Sequence, residues 1–166
     1  MNLRPETDAD IPAIDRINLD AFLNHPYSHQ TEHLIVRALR ASGALTLSLV
    51  AEVDDQVLGH IAFSPALIDG RDLGWYTLGP VAVLPAFQRK GIGSSLVHAG
   101  LQDLRALRAS GCLLVGDPNY YRRFGFQHAA SLHVDDVPPE FFMCLAFHET
   151  IPHGLVTHHP AFFTTA

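Results

Sequence analysis

A chain of 166 residues fits one domain and buries roughly two-thirds of its unfolded surface, enough for a core without staples. Apolar residues at 48% and charged residues at 17% exclude disorder as the main state, and no apolar run approaches the ~20 residues of a membrane span. The net charge of −6 argues against a nucleic-acid partner, because neutralising phosphates takes clustered Lys and Arg, and Lys90 is the lone lysine.

Met1 to Arg4 reads as a short strand. Acids stand in the first ten residues where a secretory leader would carry its apolar stretch, so a cytoplasmic protein is expected. Thr7 with Asp10 three residues on predicts a capped helix to about Phe22. Asn24 to His29, with Pro26, reads as a loop, and a second helix is expected over Thr31 to Ala41, stopped at Gly43. The period then changes. Leu45 to Val53 and Val57 to Ile68 are β-rich runs joined by Asp54-Asp55, a hairpin signal. Asp69-Gly70 marks the next turn. Trp75 to Leu84 is a third run, and Gly79-Pro80 inside it predicts a bulge or splay, since proline cannot donate to a ladder.

From Gly91 the pattern is helical: Val97, Leu101, Leu104 and Leu107 recur at steps of four, three and three, with a left-handed cap expected at Gly111. Cys112 to Val115 reads as a buried strand, Asn119 to Phe124 as one or two helical turns stopped by Gly125, and Phe141 to Phe147 as a strand. A last short strand is expected around Val156. The two cysteines, Cys112 and Cys144, fall in apolar strands and predict free thiols. The whole is a mixed α/β fold with antiparallel hairpins early and one strand-helix-strand unit in the middle.

The stretch Val81 to Ser94 carries the chemistry. A strand leads into a turn with Gly91 and Gly93 and then directly into a helix. Glycines let a ligand lie against the main chain, and free N–H groups at a helix start attract anions, with Arg89 and Lys90 adding charge. Phosphate or pyrophosphate binding follows. A dinucleotide fingerprint would need a third glycine, where Ser95-Leu96 stand instead, and a GxxxxGK[ST] phosphate loop is absent.

Gln88-Arg89-Lys90-Gly91-Ile92-Gly93 resembles the Q/R-x-x-G-x-G/A loop of the GNAT superfamily of acyl-CoA-dependent N-acetyltransferases. Upstream, Leu78 to Pro85 is similar to that family's splayed strand. Downstream, Tyr121-Arg122-Arg123-Phe124-Gly125-Phe126 resembles its Y-x-x-x-G-F element, and the run around Tyr120 is similar to a bacterial subgroup of predicted acetyltransferases. The resemblance implies a mostly antiparallel sheet of about six or seven strands, a splayed central strand and helices on both faces. It implies acetyl-CoA as co-substrate, held by main-chain groups of Val81, Ala82 and Val83 and by the loop Gln88, Arg89, Lys90, Gly91, Ile92, Gly93 and Ser94, with Asn119 nearby. Tyr121 takes the place of the general acid that protonates the departing thiolate. The acceptor is expected to be a small-molecule or peptide amine, and a homodimer is an assembly this reading admits. A non-catalytic acyl-CoA sensor of the same fold is the alternative.

The general base is open. The family often places an acid on the central strand, and Leu73 to Leu84 holds none, which leaves Glu52 and His60 on the preceding strands as candidates. Tyr120 is expected to point away from its neighbour on the helix. Arg122 and Arg123 are candidates for a 3′-phosphate contact or a solvated face. Eleven histidines raise a metal site, with His25, His29, His33 and the pair His158-His159 as clusters. Pro26 breaks the first, no ligand set completes either, and exposed histidines with no metal are expected.

Overall fold

The computed structural model describes residues 1–165. Its strands are β1 (Asn2–Pro5), β2 (Leu47–Val53), β3 (Gln56–Ile68), β4 (Arg71–Val83), β5 (Gly111–Val115), β6 (Leu132–His133), β7 (Phe142–Ala146) and β8 (Gly154–Thr157). Its helices are α1 (Ile11–Phe22), α2 (Glu32–Ala41), α3 (Ile92–Ala106) and the short α4 (Pro118–Tyr121). The sheet has eight strands, in the order β1-β2-β3-β4-β5-β7, with β8 pairing both β3 and β6. That is more than the six or seven expected, since the two-residue β6 is too short to leave a periodic trace. Pairing is antiparallel except for β4–β5 and β6–β8.

The hairpins form where short polar residues tolerate a left-handed backbone. Asp54 and Asp55 have φ of 50° and 62°, Asp69 and Gly70 of 50° and 75°, and each pair closes a two-residue turn. β4 begins at Arg71, four residues before the expected Trp75, because the tight turn carries the ladder from Ile68↔Arg71 onward. In the 3-10 turn Asp8–Asp10 that leads into α1, the Asp10 carboxylate accepts from the Thr7 backbone N–H at 2.7 Å, the cap the sequence predicts, while α1 itself starts only at Ile11.

Alternation along β2 sends Leu49 and Ala51 to one face and Val50 to the other. On the first face α3 packs Leu96, Val97, Leu101 and Leu104 onto Ile61, Phe63, Leu78 and Val83. On the second, Ile14 of α1 and Val36 of α2 meet Val50. Helices therefore cover both faces. Beyond them, Trp75, Leu113, Leu132, Phe142 and Val156 form a second cluster that seats β5, β7 and β8.

Two helical expectations are corrected. Leu107 is 54% exposed and lies off the packed stripe, because α3 ends at Ala106 and Leu107 is already its C-cap. The left-handed residue after α3 is Arg108 (φ 61°), with Ala109 N–H closing on Leu104 O at 3.1 Å, so Gly111 caps nothing. Gly111 is needed for packing instead: a Cβ there would stand 2.5 Å from the Trp75 ring. Cys112 and Cys144 are buried and free. They face opposite sides of the sheet, Cys112 against the α3 layer and Cys144 in the Trp75 cluster, and burial pushes the Cys112 thiol far above its ordinary range.

Candidate active site

β4 and β5 pair only through Trp75↔Gly111, Tyr76↔Cys112 and Thr77↔Leu113. Beyond that point β4 stays with β3, as Val81↔Ile61, Ala82↔His60 and Val83↔Gly59, while β5 stays with β7 to Val115↔Phe142. The register shift between Ile61 and Phe63 places Gly79 and Pro80 opposite Ala62 alone, a bulge that turns β4 away from β5. A gap results between the two inner edges, with its apex at Thr77 and the main chain of Val81, Ala82 and Val83 along one side.

At the mouth of the gap the chain runs through the turn Pro85–Phe87 into α3. Gln88 Nε2 donates to Val83 O at 3.0 Å and ties the loop to the strand end. Arg89 (φ 63°) and Gly91 (φ 87°) are both left-handed, so the loop folds back and turns its N–H groups inward. The first bond across Gly91 is Ser95 N–H to Gly91 O at 3.0 Å, which leaves the N–H groups of Ile92, Gly93 and Ser94 without an acceptor in the helix. A Cβ at Gly91 would meet nothing within 4 Å, so the space in front of these donors is open. Arg89 and Lys90 are exposed beside it, with Lys90 Nζ 5.6 Å from the Phe87 ring centre. The arrangement is a positively polarised cradle for a small polyanion.

α4 lies across this cradle. Asp117 Oδ1 accepts from Asn119 N–H at 2.9 Å, and Asn119 itself is exposed. The rings of Tyr120 and Tyr121 meet edge-to-face at 4.9 Å and both pack on Phe124, so they do not point apart as the helical spacing predicts. The Tyr120 hydroxyl reaches the loop, 3.6 Å from where a Gly93 Cβ would stand, and Arg123 stacks 4.5 Å over its ring. Tyr121 lies deeper, its Cε2 2.6 Å from a Cβ built at Gly116 and its ring edge-on to Phe126 at 6.0 Å. Burial above all, then the neighbouring Tyr120, Cys112 and Asp117, pushes the Tyr121 phenol well above its ordinary value, so it keeps its proton. That Tyr120 approaches Gly93 is not legible in sequence, because it depends on how α4 docks.

Both base candidates have other partners. His60 is fully buried between β3 and α1. Asn18 Nδ2 donates to Ile14 O at 3.0 Å and stands 3.1 Å from His60 Nδ1, so Nδ1 accepts and Nε2 donates to Ser48 Oγ at 2.8 Å. Burial, then Arg40, lowers its pKa to about 3, which keeps the ring neutral with both nitrogens used. Glu52 lies on β2, two strands from the gap, and accepts from Arg4 Nη2 at 3.1 Å.

The residues that sequence reasoning missed lie at the apex. His158, expected to be exposed, is half-buried with Nδ1 2.8 Å from Thr77 Oγ1. Ser64, opposite Thr77 in the ladder, is fully buried, and Phe162 covers Gly79 at 4.0 Å from its Cβ direction. No local signal joins positions 77 and 158, which are 81 residues apart. Among the described residues, no group of three or more His, Cys, Asp or Glu is arranged to hold a metal, and no helix is long and apolar enough to cross a membrane.

The family model of the GNAT acetyltransferase domain matches residues 45–128. The uncharacterized N-acetyltransferase YhbS of Escherichia coli is 39% identical over 131 residues, spanning 78% of this chain and 75% of its own. Among solved structures, a GNAT acetyltransferase from Brucella melitensis in complex with acetyl-CoA superposes with a TM-score of 0.88 at 52% identity, covering 97% of each chain. The complex of Escherichia coli YhbS with CoA gives 0.87 at 32% identity, covering 99% of this chain and 93% of that one.

Proposed function

Given that the chain belongs to the GNAT family of acetyltransferases, we propose that it transfers an acetyl group from acetyl-CoA to an amine by direct attack in a ternary complex. The observation that carries the reading is the parting of β4 from β5 after Thr77, which leaves the β5-facing edge of Val81–Val83 without a partner strand, on a line leading into the anion cradle. The pantetheine amides pair with that edge as an added strand. The pyrophosphate sits on the N–H groups of Gly91 through Ser94, flanked by Arg89 and Lys90. That two similar structures carry acetyl-CoA and CoA supports a coenzyme A thioester as the ligand.

The chemistry then asks little of the protein beyond position. A main-chain N–H at Val81 or Ala82 receives the charge that develops on the carbonyl oxygen. Holding amine and thioester together converts a bimolecular encounter into a local one. Tyr121, whose proton is retained by burial, protonates the sulfur as the C–S bond breaks. The acceptor comes from the α1–α2 side, where Phe22, His25, Tyr27 and Phe141 form a chain of ring contacts at 5.7, 6.1 and 6.2 Å.

The test is thermal unfolding with coenzyme A, NAD and ATP, followed by acetyl-CoA turnover over a panel of amino acids, polyamines and peptides. Coenzyme A at ~100-fold above its Kd stabilises by about 2.7 kcal/mol, and NAD and ATP do so far less. An equal shift with NAD overturns the assignment of the cradle. Coenzyme binding with no turnover of any amine establishes the sensor reading instead, which the absence of an acid on Leu73–Leu84 favours.

A further inference from the structure

Two buried polar atoms at the apex of the gap have no partner among the described residues: His158 Nε2 and Ser64 Oγ. Such atoms are uncommon, because an unmade hydrogen bond in the interior costs the full desolvation of the group. Their placement is informative. Ser64 and Thr77 face each other across β3 and β4, and Thr77 is the last residue of β4 that pairs with β5. His158 follows β8 and is held to Thr77 Oγ1 through Nδ1 at 2.8 Å. One ring nitrogen is thus anchored where the strands part, and the other is buried with no partner among the described residues.

We propose that His158 Nε2 accepts the proton given up by the acceptor amine, with Thr77 as the positioning residue that holds the ring; this rests on the transfer reading above. The imidazole donates its Nδ1–H to Thr77 Oγ1, which leaves the lone pair of Nε2 bare. The amine nitrogen bonds to the thioester carbon, its N–H electron pair stays on nitrogen, and the proton passes to Nε2. As the C–S bond breaks, sulfur takes the Tyr121 proton. The imidazolium then returns its proton to solvent and the phenol is reprotonated, so amine plus acetyl-CoA gives amide plus free thiol.

The surroundings suit a ring that must arrive neutral. From β4 it faces the Thr77 hydroxyl, and from the turn Pro160–Phe163 the Phe162 ring at 5.5 Å. α2 reaches that turn through apolar Ile35 and Leu39, and His159 is occupied by the Ala161 N–H at 3.0 Å. Burial alone lowers the His158 pKa to about 4, with no charged neighbour contributing. A proton taken up during the reaction is therefore readily released.

The experiment compares wild type, His158→Gln, His158→Ala and Thr77→Val with an amine accepted by the wild type. The expected result is a fall in kcat of ~10²-fold or more for both His158 variants, with coenzyme A affinity unchanged. Free imidazole restores turnover to His158→Ala and leaves His158→Gln and Thr77→Val unaided. A readout independent of turnover is the imidazole ¹⁵N spectrum of the wild type, with Nδ1 protonated and Nε2 bare at neutral pH, an ordering lost in Thr77→Val. A protonated Nε2 in the neutral ring overturns the proposal. So does kcat within threefold of wild type for His158→Gln while Tyr121→Phe is impaired, an outcome that leaves the transfer reading standing. If wild type binds coenzyme A but acetylates no amine, the transfer reading and this assignment fall together.

Discussion

Burial shifts two titratable side chains, Tyr121 and His60, in opposite directions, and both stay neutral. The Tyr121 hydroxyl keeps its proton because burial disfavours the phenolate, and in the proposed transfer it is the donor to the departing thiolate. Tyr121→Phe retains the ring against Phe126 and Gly116. Turnover should fall by ~10²–10⁴-fold while coenzyme affinity and Tm stay near wild type, the pattern of an interaction used only in the transition state. Lower stability with unchanged turnover per folded molecule would make Tyr121 structural. His60 has both nitrogens committed, to Asn18 and Ser48. His60→Leu leaves those two partners unpaired in the interior, at about 1–3 kcal/mol each, and should lower the urea midpoint with little effect on kcat of the folded fraction.

At the level of elements, two glycines of one helix separate function from packing. Gly91 opens α3 in the left-handed region with empty space before it, whereas Gly100 lies where a Cβ would stand 2.3 Å from the Phe63 ring. Gly91→Val meets only the backbone cost of that conformation, about 1–2 kcal/mol, but places a branched side chain in front of the cradle. It should fold and lose its coenzyme A thermal shift. Gly100→Ala gains about 1 kcal/mol of helix propensity and loses about 1–3 kcal/mol to overpacking, because fully buried Phe63 has nowhere to move. Net destabilisation with an intact coenzyme shift is the expected outcome, read by melting with and without ligand. A Gly100→Ala protein as stable as wild type would mean that α3 shifts freely on the sheet.

For the molecule as a whole, acid stability follows from three groups. The folded pKa values of His60 (about 3), His158 (about 4) and Asp10 (about 2) all lie below their ordinary values of 6.5, 6.5 and 3.8. Burial lowers the two histidines, and the Arg4 hydrogen bond is the main cause for Asp10. In each case the native state binds its proton more weakly than the unfolded chain. Their stabilisation is complete above the unfolded pKa and is lost as pH falls towards the folded one. Unfolding free energy should decline from about pH 6.5 to pH 4, with a limiting slope of about 1.4 kcal/mol per pH unit for each histidine, and decline again below about pH 4 as Asp10 is protonated. Urea titrations at stepped pH check this, and His60→Gln should roughly halve the slope of the first decline, leaving the His158 share. A flat profile between pH 7 and 5 would show that neither histidine is desolvated in solution.

The hairpin turns, the bulge at Gly79-Pro80, the glycine cradle and the Tyr121-to-Phe126 element were legible in the sequence because each is a backbone conformation specified within a few residues. Asp54-Asp55 closes a hairpin for local reasons, and Gly91 takes a left-handed backbone with open space before it because it has no Cβ. The rest was decided by contacts between distant segments, which leave no periodic trace. Leu107 matches the helical stripe yet lies outside it, and Gly111 matches a cap yet serves the Trp75 ring. Glu52 and His60 have types suited to proton transfer, but Arg4, Asn18 and Ser48 already engage them. His158 looked like one exposed histidine among eleven until the return of β8 beside β3 brought it to Thr77, at the point where the sheet opens.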